Sequence, residues 1–196
     1  DLEYLADGRV FYVGPCKNKP SATVYSYGCY GSVNPDGTHA AGRAAFFVTD
    51  YDDYPTQVLR GNDGTLLIAG YNKNSANFYD DRPIFARLIY NPLGTSSFDS
   101  TFNPAGAQPG RLFGDVVGQQ FHLGALGFAL SADQEIYTTV VSHGSGDAAG
   151  PFVKRVTVRH SDGTTRATWG GTTNALYDSA YENILIDDAG RVLLSG

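Results

Sequence analysis

Closely spaced aspartates are the first residues in this chain whose types suggest chemistry. Asp50, Asp52 and Asp53 lie within four positions of one another and alternate with tyrosines. Hard cations such as calcium take six to eight oxygen ligands, and neighbouring carboxylates with loop carbonyls supply several of them. The segment lacks the glycine and the distant glutamate of an EF-hand loop, so a solvated acidic loop is the competing interpretation. The sequence thus requires no cofactor, and calcium is the one cofactor it leaves open, with these three aspartates as candidate ligands.

Aromatic residues suggest a second kind of site. Tyr25, Tyr27 and Tyr30 crowd around Cys29, and Trp169 is the only tryptophan of the chain. Exposed rings on loops can stack on the flat apolar faces of sugars, which makes a glycan the candidate ligand. Packing of these rings within the core or at its rim is the alternative interpretation, and both stay open here.

No group of residues has the arrangement of a catalytic site, so no catalytic residue is predicted. Residues 142–147 contain serine, histidine and aspartate side by side, whereas a hydrolase triad is assembled from separated positions. No Gly-x-Ser-x-Gly elbow occurs in the chain. The four histidines form neither a His-x-His nor a His-Glu-x-x-His pattern; they are His39, His122, His143 and His160. An enzymatic site contributed by residues elsewhere in a larger protein remains open.

The cysteines and the net charge indicate the cellular compartment and the kinds of partner to expect. Cys16 and Cys29 are the only cysteines, and a disulfide between them predicts an oxidising compartment, hence a secreted or cell-surface protein. Two unrelated reduced thiols are the alternative. The formal net charge of −6 comes without a basic stripe, which argues against nucleic-acid binding. No apolar run approaches the roughly 20 residues that span a bilayer, so no membrane span is predicted.

The elements that carry these residues repeat along the chain. Similar hairpin turns contain Gly8, Gly64, Gln134 and Gly190, at intervals of 56, 70 and 56 residues. A second turn, around Gly37, Gly94 and Gly163, follows the first by 29, 30 and 29 residues. Two landmarks that stay in step through three units indicate an array of equivalent supersecondary units. The units are predicted at about 1–56, 57–126 and 127–182, with a partial unit at 183–196.

Each unit is predicted to contain four short antiparallel strands. The strands around the first turn are apolar on both faces, so both faces must be covered. Third strands are predicted at 27–33, 84–90 and 152–159. The fold prediction is therefore all-β, a β-propeller segment of about three four-stranded blades plus the first hairpin of a fourth. The second unit is longer by 14 residues, and the excess is predicted to form a surface loop over 102–114.

Residues 64–102 resemble a named repeat family. A Gly-Thr-Leu-Leu-Ile-Ala-Gly segment is followed by Ala86-Arg87-Leu88, then by an Asn-Pro-Leu-Gly turn and a closing Asp99-Ser-Thr-Phe102. This pattern is similar to the delta-60 repeat, a β-propeller family of unknown function. The first and third units share only its spacing. The resemblance implies a propeller fold and a bacterial surface or secreted protein, and it implies no catalytic residues.

The expected function follows from the repeat. Propellers use four to eight blades, so three units do not close a ring, and either further blades of the same protein or self-association is expected. The leading hypothesis is a non-catalytic extracellular propeller segment that serves as a structural or protein-interaction module of a larger surface protein or assembly. The alternative is a carbohydrate-binding, lectin-like propeller, assisted by calcium.

Overall fold

The computed structural model describes residues 1–16, 27–40, 44–46, 52–73, 82–91, 96–113, 120–144, 152–173 and 183–195. These residues form β-strands and turns and contain no helix, so the all-β prediction is confirmed. The strands are β1 (Leu2–Tyr4), β2 (Val10–Cys16), β3 (Tyr27–Val33), β4 (Ala44–Phe46), β5 (Asp52–Arg60), β6 (Thr65–Lys73), β7 (Arg82–Ile89), β8 (Ser97–Phe98), β9 (Arg111–Phe113), β10 (Gln120–Leu130), β11 (Ile136–Gly144), β12 (Phe152–Arg159), β13 (Thr165–Thr173), β14 (Asn183–Ile186) and β15 (Val192–Ser195).

The strands pair in sequence order into antiparallel sheets. The first sheet has the order β1-β2-β3-β4, the second β5-β6-β7-β8 with β9 also on β7, and the third β10-β11-β12-β13; β14 and β15 form a hairpin. The predicted third strands at 27–33 and 152–159 coincide with β3 and β12. The predicted unit boundaries fall inside β5 and β10, at a one-residue bulge in each strand. Each of these two sheets therefore begins a few residues before the unit that the turns define.

The turns on which the predicted repeat is based have one local structure. Positive φ angles occur at the matched first-turn positions, with values of 84°, 80°, 64° and 75° at Gly8, Gly64, Gln134 and Gly190. In each of these turns the residue at the positive φ donates its N–H to the carbonyl three positions earlier. Gly37 and Gly163 of the second turns do the same, with φ of 84° and 89°. Glycine recurs at these positions because a Cβ strains the left-handed conformation.

Each sheet has two apolar faces, and one face of each sheet packs against the opposite face of the next sheet along the chain. We call the face that contacts the following sheet the front face and the opposite one the back face. The first core cluster joins the front face of the first sheet to the back face of the second, as Phe11 against Leu66. The second cluster joins Leu67 to Phe128, and the third joins Ala129 to Ile184 of the β14–β15 hairpin. Stacking of sheet on sheet thus explains why the strands around the first turns are apolar on both sides.

A hydrogen bond of the same kind links successive sheets. The Asp1 carboxylate accepts the backbone N–H of Val58 at 3.0 Å, and the Gln57 side-chain oxygen accepts that of Phe128 at 3.0 Å. These donors and acceptors occupy matched positions of the predicted repeat. The third acceptor position is Gly127, where a Cβ would lie 3.0 Å from the N atom of Ile184. Close approach of the hairpin therefore takes the place of the side-chain bond at the third interface.

The fourth strand of the second sheet is split. β8 pairs with Leu88 and Ile89 of β7, and β9 pairs with residues 84–86, while 99–110 leave the sheet between them. Arg87 lies at this gap, where its N–H donates to the carbonyl of Gly110 and its carbonyl accepts the N–H of Asp99. The prediction of a surface loop over 102–114 holds for the irregular, partly exposed residues 103–109 and is wrong at the two ends of the described stretch. Phe102 is fully buried, and 111–113 form a strand, because this excursion packs between two sheets.

Candidate interaction surfaces

The two outermost apolar faces of the stack are uncovered in the described structure. Four matched positions of the back face are occupied by Leu2, Val58, Phe128 and Ile184. Val58, Phe128 and Ile184 are 2%, 3% and 3% exposed, whereas Leu2 is 67% exposed. Tyr4, which lies on the same face of β1, is 69% exposed. The back face of the first sheet thus has the residue types of an internal interface without the burial.

The front face of the β14–β15 hairpin shows the converse. Phe11 and Leu67, which occupy this matched position in the first two sheets, are buried, whereas Leu193 is 51% exposed. Leu185 pairs with Leu193 across the hairpin and is 64% exposed. Exposed apolar residues that cluster on one face mark an interaction surface more often than isolated ones do. We call the β1–β2 surface the back end face and the β14–β15 surface the front end face.

A polar joint between the second and third sheets was missed by sequence reasoning. Arg87 donates from Nε to the Asp99 carboxylate at 2.7 Å and from Nη2 to the Thr101 hydroxyl at 2.8 Å. Its Nη1 donates to the carbonyl of Ser161, in the second turn of the third sheet. Both members of the ion pair are largely buried. The available signal was an arginine within an otherwise apolar strand, followed by an Asp-x-Thr sequence.

The same joint explains the residues that carry the resemblance described above. Phe102 lies under the Arg87 guanidinium, with 5.3 Å between the guanidinium carbon and the ring centroid. A Cβ at Gly163 of the third sheet would lie 2.9 Å from the Phe102 ring, so only glycine allows this approach without displacement. Asn103 donates its N–H to the Asp162 carbonyl of the same turn at 2.8 Å. These motif residues therefore pack one sheet against the next.

A second polar cluster is buried between the first and second sheets and contains two predicted site residues. Asp53 is 1% exposed and accepts a 2.8 Å hydrogen bond from the side-chain amide of Asn72. Burial lowers the pKa of Arg111, and the charges of Tyr30 and Asp53 oppose that shift. Burial also raises the pKa of Tyr30, and Arg111 partly counters the effect. The structure thus brings Tyr30 and Asp53 together around Arg111, inside an interface.

The calcium hypothesis keeps the status of a prediction. Asp50 lies outside the described residues, and so does the side chain of Asp52, although its backbone begins β5. Within the described part of the chain, no group of three or more histidine, cysteine, aspartate or glutamate residues is arranged to hold a metal ion. The competing interpretation of a solvated acidic loop does not describe Asp53, because its carboxylate is buried.

The predicted aromatic site residues do not share one environment. Tyr30 is buried and its ring stacks on Phe11, with 5.7 Å between the ring centroids. Tyr27 begins β3 and is half-buried, and Tyr25 lies outside the described residues. Trp169 is 54% exposed on β13, which pairs only with β12 among the described strands. Of the three that the structure describes, Trp169 presents a largely exposed ring.

Cys16 at the end of β2 forms a disulfide with Cys29 in β3, with 5.7 Å between their Cα atoms. His143 and Ser142 belong to β11, but the rest of the 142–147 segment beyond Gly144 lies outside the described residues. His39 packs edge-on to Tyr12, with ring centroids 6.3 Å apart. The disulfide ties together two adjacent strands of the first sheet.

Aspartates stabilise the hairpin turns of every sheet. Asp36, Asp63 and Asp162 each accept hydrogen bonds from both the N–H and the hydroxyl of the threonine two positions later. The threonine hydroxyl is the main cause that lowers the pKa of Asp36 and of Asp162. Burial raises the pKa of Asp63, but the bonds from Thr65 outweigh it and the net shift is downward. We call these three residues the turn aspartates.

Among the described residues, no helix is long and apolar enough to cross a membrane. No family model matches the sequence, and no curated protein matches it. What the protein does must therefore be inferred from its own geometry.

Proposed function

We propose that this chain is a β-propeller segment of the delta-60 repeat type and a non-catalytic structural or protein-interaction module. It belongs to a secreted or cell-surface protein or assembly, and its sheets are blades. The units are those read from the turns, about three blades and the first hairpin of a fourth. Its partners are further blades of the same protein or other copies of the chain.

One observation carries the proposal: successive sheets pack through matched positions. The front face of each sheet covers the back face of the next, and the hydrogen bonds to Val58 and Phe128 recur at the same place in the repeat. A stack built from equivalent joints extends by adding units, and each unit is stabilised chiefly by its neighbours. Radial repetition of four-stranded antiparallel sheets is the propeller arrangement.

The charged residues support a structural role for the module. The Arg87–Asp99 pair and the Asn72–Asp53 pair are buried between sheets, where they satisfy one another. A charge is costly to bury unless it is paired or hydrogen-bonded, so these contacts allow Asp99 and Asp53 to lie inside the packed sheets. The disulfide between Cys16 and Cys29 supports the extracellular part of the proposal, since such bonds persist in oxidising compartments.

Electron microscopy of the intact protein from its native source tests the propeller. We expect the images to show sheets arranged radially around an axis. We also expect the Cys16–Cys29 disulfide to be intact in protein from the secreted or cell-surface fraction. A barrel or a two-sheet sandwich would overturn the fold, and reduced cysteines in a cytosolic fraction would overturn the location.

A carbohydrate-binding propeller is the second candidate function, and the exposed ring of Trp169 favours it. Aromatic rings offer sugars an apolar face at little cost in conformational entropy. We expect binding on a glycan array to be lost on Trp169→Ala or Tyr27→Ala if this function is correct. Binding that disappears with a chelator would add the calcium role of Asp50, Asp52 and Asp53. An array without any bound glycan would remove this candidate.

A further inference from the structure

Two tyrosines lie face to face across neighbouring strands of the second sheet. Tyr54 of β5 is paired with Tyr71 of β6, with 5.0 Å between the ring centroids and an angle of 16° between the ring planes. We infer that this pair is an oxidative cross-linking site, at which a carbon–carbon bond joins the two phenol rings. The inference goes beyond the proposed function, which gives these two residues no role.

The backbone brings the two rings together before any bond forms. Directly opposite residues of antiparallel strands have Cβ atoms about 5 Å apart, so the two side chains share one face of the sheet. A one-residue bulge follows Pro55. Beside it the strands approach so closely that a Cβ at Gly70 would overlap the Tyr54 carbonyl oxygen. Coupling therefore requires rotation of the two side chains and no change of strand register.

Exposure and proximity favour coupling within the pair. Both rings are partly exposed, whereas Tyr30 is buried, so an oxidant at the surface can reach either phenol. Two groups that are held side by side react with each other far faster than with the same group on another molecule. Oxidation of this chain should therefore join Tyr54 to Tyr71 within one molecule.

The coupling balances with hydrogen peroxide as the oxidant and a peroxidase as the catalyst. Each phenol loses one electron and one proton, which leaves two neutral tyrosyl radicals. A ring carbon next to the phenol carbon of Tyr54 forms a bond with the equivalent carbon of Tyr71. The hydrogen on each bonded carbon then moves to the phenol oxygen, which restores both aromatic rings. The two electrons and two protons reduce one peroxide to two waters.

The bond ties the end of the sheet that lies away from the hairpin turns. The turn at Gly64 joins β5 to β6 at one end, and the tyrosine pair lies toward the other end. In the first sheet the disulfide of Cys16 lies at this same end, and Tyr71 occupies the position of the predicted repeat that precedes that of Cys16. A bond between the tyrosines closes the loop 54–71 and restricts the unfolded chain as a disulfide does.

Treatment of the purified chain with hydrogen peroxide and a haem peroxidase, followed by trypsin digestion and mass spectrometry, tests the inference. Peptide 61–73 contains Tyr71 as its only tyrosine, and peptide 44–60 contains Tyr51 and Tyr54. We expect these peptides to be joined, with the loss of two hydrogen atoms, in chains that still run as monomers on a denaturing gel. The unfolding equilibrium constant in urea should fall on the order of a hundredfold after oxidation.

Phenylalanine variants assign the bond to the two rings. Tyr54→Phe and Tyr71→Phe keep an aromatic ring but remove a phenol, so each should lose the joined peptides while its circular dichroism stays that of the wild type. Tyr51→Phe should keep them, and so should Tyr4→Phe, at a tyrosine that is 69% exposed on β1. Joined peptides that persist in Tyr54→Phe, or that occur only in covalent dimers, would overturn the inference.

The inference rests on the proposed function in one respect, the extracellular location that supplies the oxidant. Joined peptides are therefore also expected in the protein from its native source. Their absence there, in protein whose Cys16–Cys29 disulfide is intact, would overturn the cross-link and leave the proposed location standing. Reduced cysteines in a cytosolic fraction would overturn the location, whereas the purified chain would still test the tyrosine pair.

Discussion

Alanine substitutions at the matched back-face position should lower the free energy of unfolding by very different amounts in different sheets. Full burial of a leucine side chain contributes about 2 kcal/mol, and Leu2 is 67% exposed, so Leu2→Ala should lower the free energy of unfolding by at most about 0.7 kcal/mol. Phe128 and Ile184 occupy the matched position and are each 3% exposed. Phe128→Ala should cost about 3–5 kcal/mol and Ile184→Ala about 2–5 kcal/mol, because each leaves a cavity between sheets.

Urea unfolding followed by circular dichroism, at a concentration low enough to keep copies separate, measures these costs. Hydrogen exchange of the β14–β15 amides should accompany it, because Ile184→Ala can release the hairpin before the rest of the stack unfolds. Equal costs for Leu2→Ala and Phe128→Ala would refute the reasoning, since they would mean that the first sheet is covered within a single molecule. Unchanged exchange in β14–β15 after Ile184→Ala would show that the hairpin does not depend on the third interface.

Three further predictions concern the joints and turns. Arg87→Met should lower the free energy of unfolding by about 3 kcal/mol, because it leaves the buried Asp99 carboxylate without its ion-pair partner. Arg166→Met, at an exposed ion pair, should change the same free energy by less than about 1 kcal/mol. Equal effects in urea unfolding would contradict the joint. Reduction of the Cys16–Cys29 bond should lower the free energy of unfolding by roughly 3 kcal/mol, as measured by comparing urea titrations with and without dithiothreitol. An unchanged urea midpoint would show that β2 and β3 do not need the disulfide for their stability. Folding lowers the pKa values of the turn aspartates, so the stabilisation they give should be complete above the unfolded pKa near 3.8. It should be lost as the pH falls through the folded pKa values. Urea midpoints measured from pH 6 to pH 2 test this, and a midpoint that does not change with pH would argue against the threonine hydrogen bonds.

The repeated hairpins could be predicted from the sequence because their signals are local. A left-handed residue at a tight turn demands glycine in most cases, and the strands beside Gly8 and Gly64 are short apolar runs bounded by turn residues. Gln134 breaks the glycine rule, yet it holds the same conformation with φ of 64°. Gln134 could be placed among the first-turn positions from its spacing alone. The residues at matched positions on either side constrain the turn even though its own residue type does not.

Burial between sheets could not be predicted in the same way. Asp53 and Phe102 both lie in stretches whose proline, glycine and aspartate content is typical of exposed loops. The first is covered by the preceding sheet and the second by the following one, and such coverage depends on contacts distant in sequence. Arg87 gives no local sign that its guanidinium reaches the turn at Ser161, 74 residues further along the chain.

The hairpin turns lie at one end of every sheet, and three links between consecutive strands leave from the other end. β2 ends there and β3 begins there, as do β6 and β7 and then β11 and β12. Changes of length in those links leave strand register untouched, because register is fixed at the opposite end. The architecture thus has one rim whose turns set strand register and one rim where the chain links strands, and we expect peptide sequences inserted between β6 and β7 to leave the stack of sheets intact.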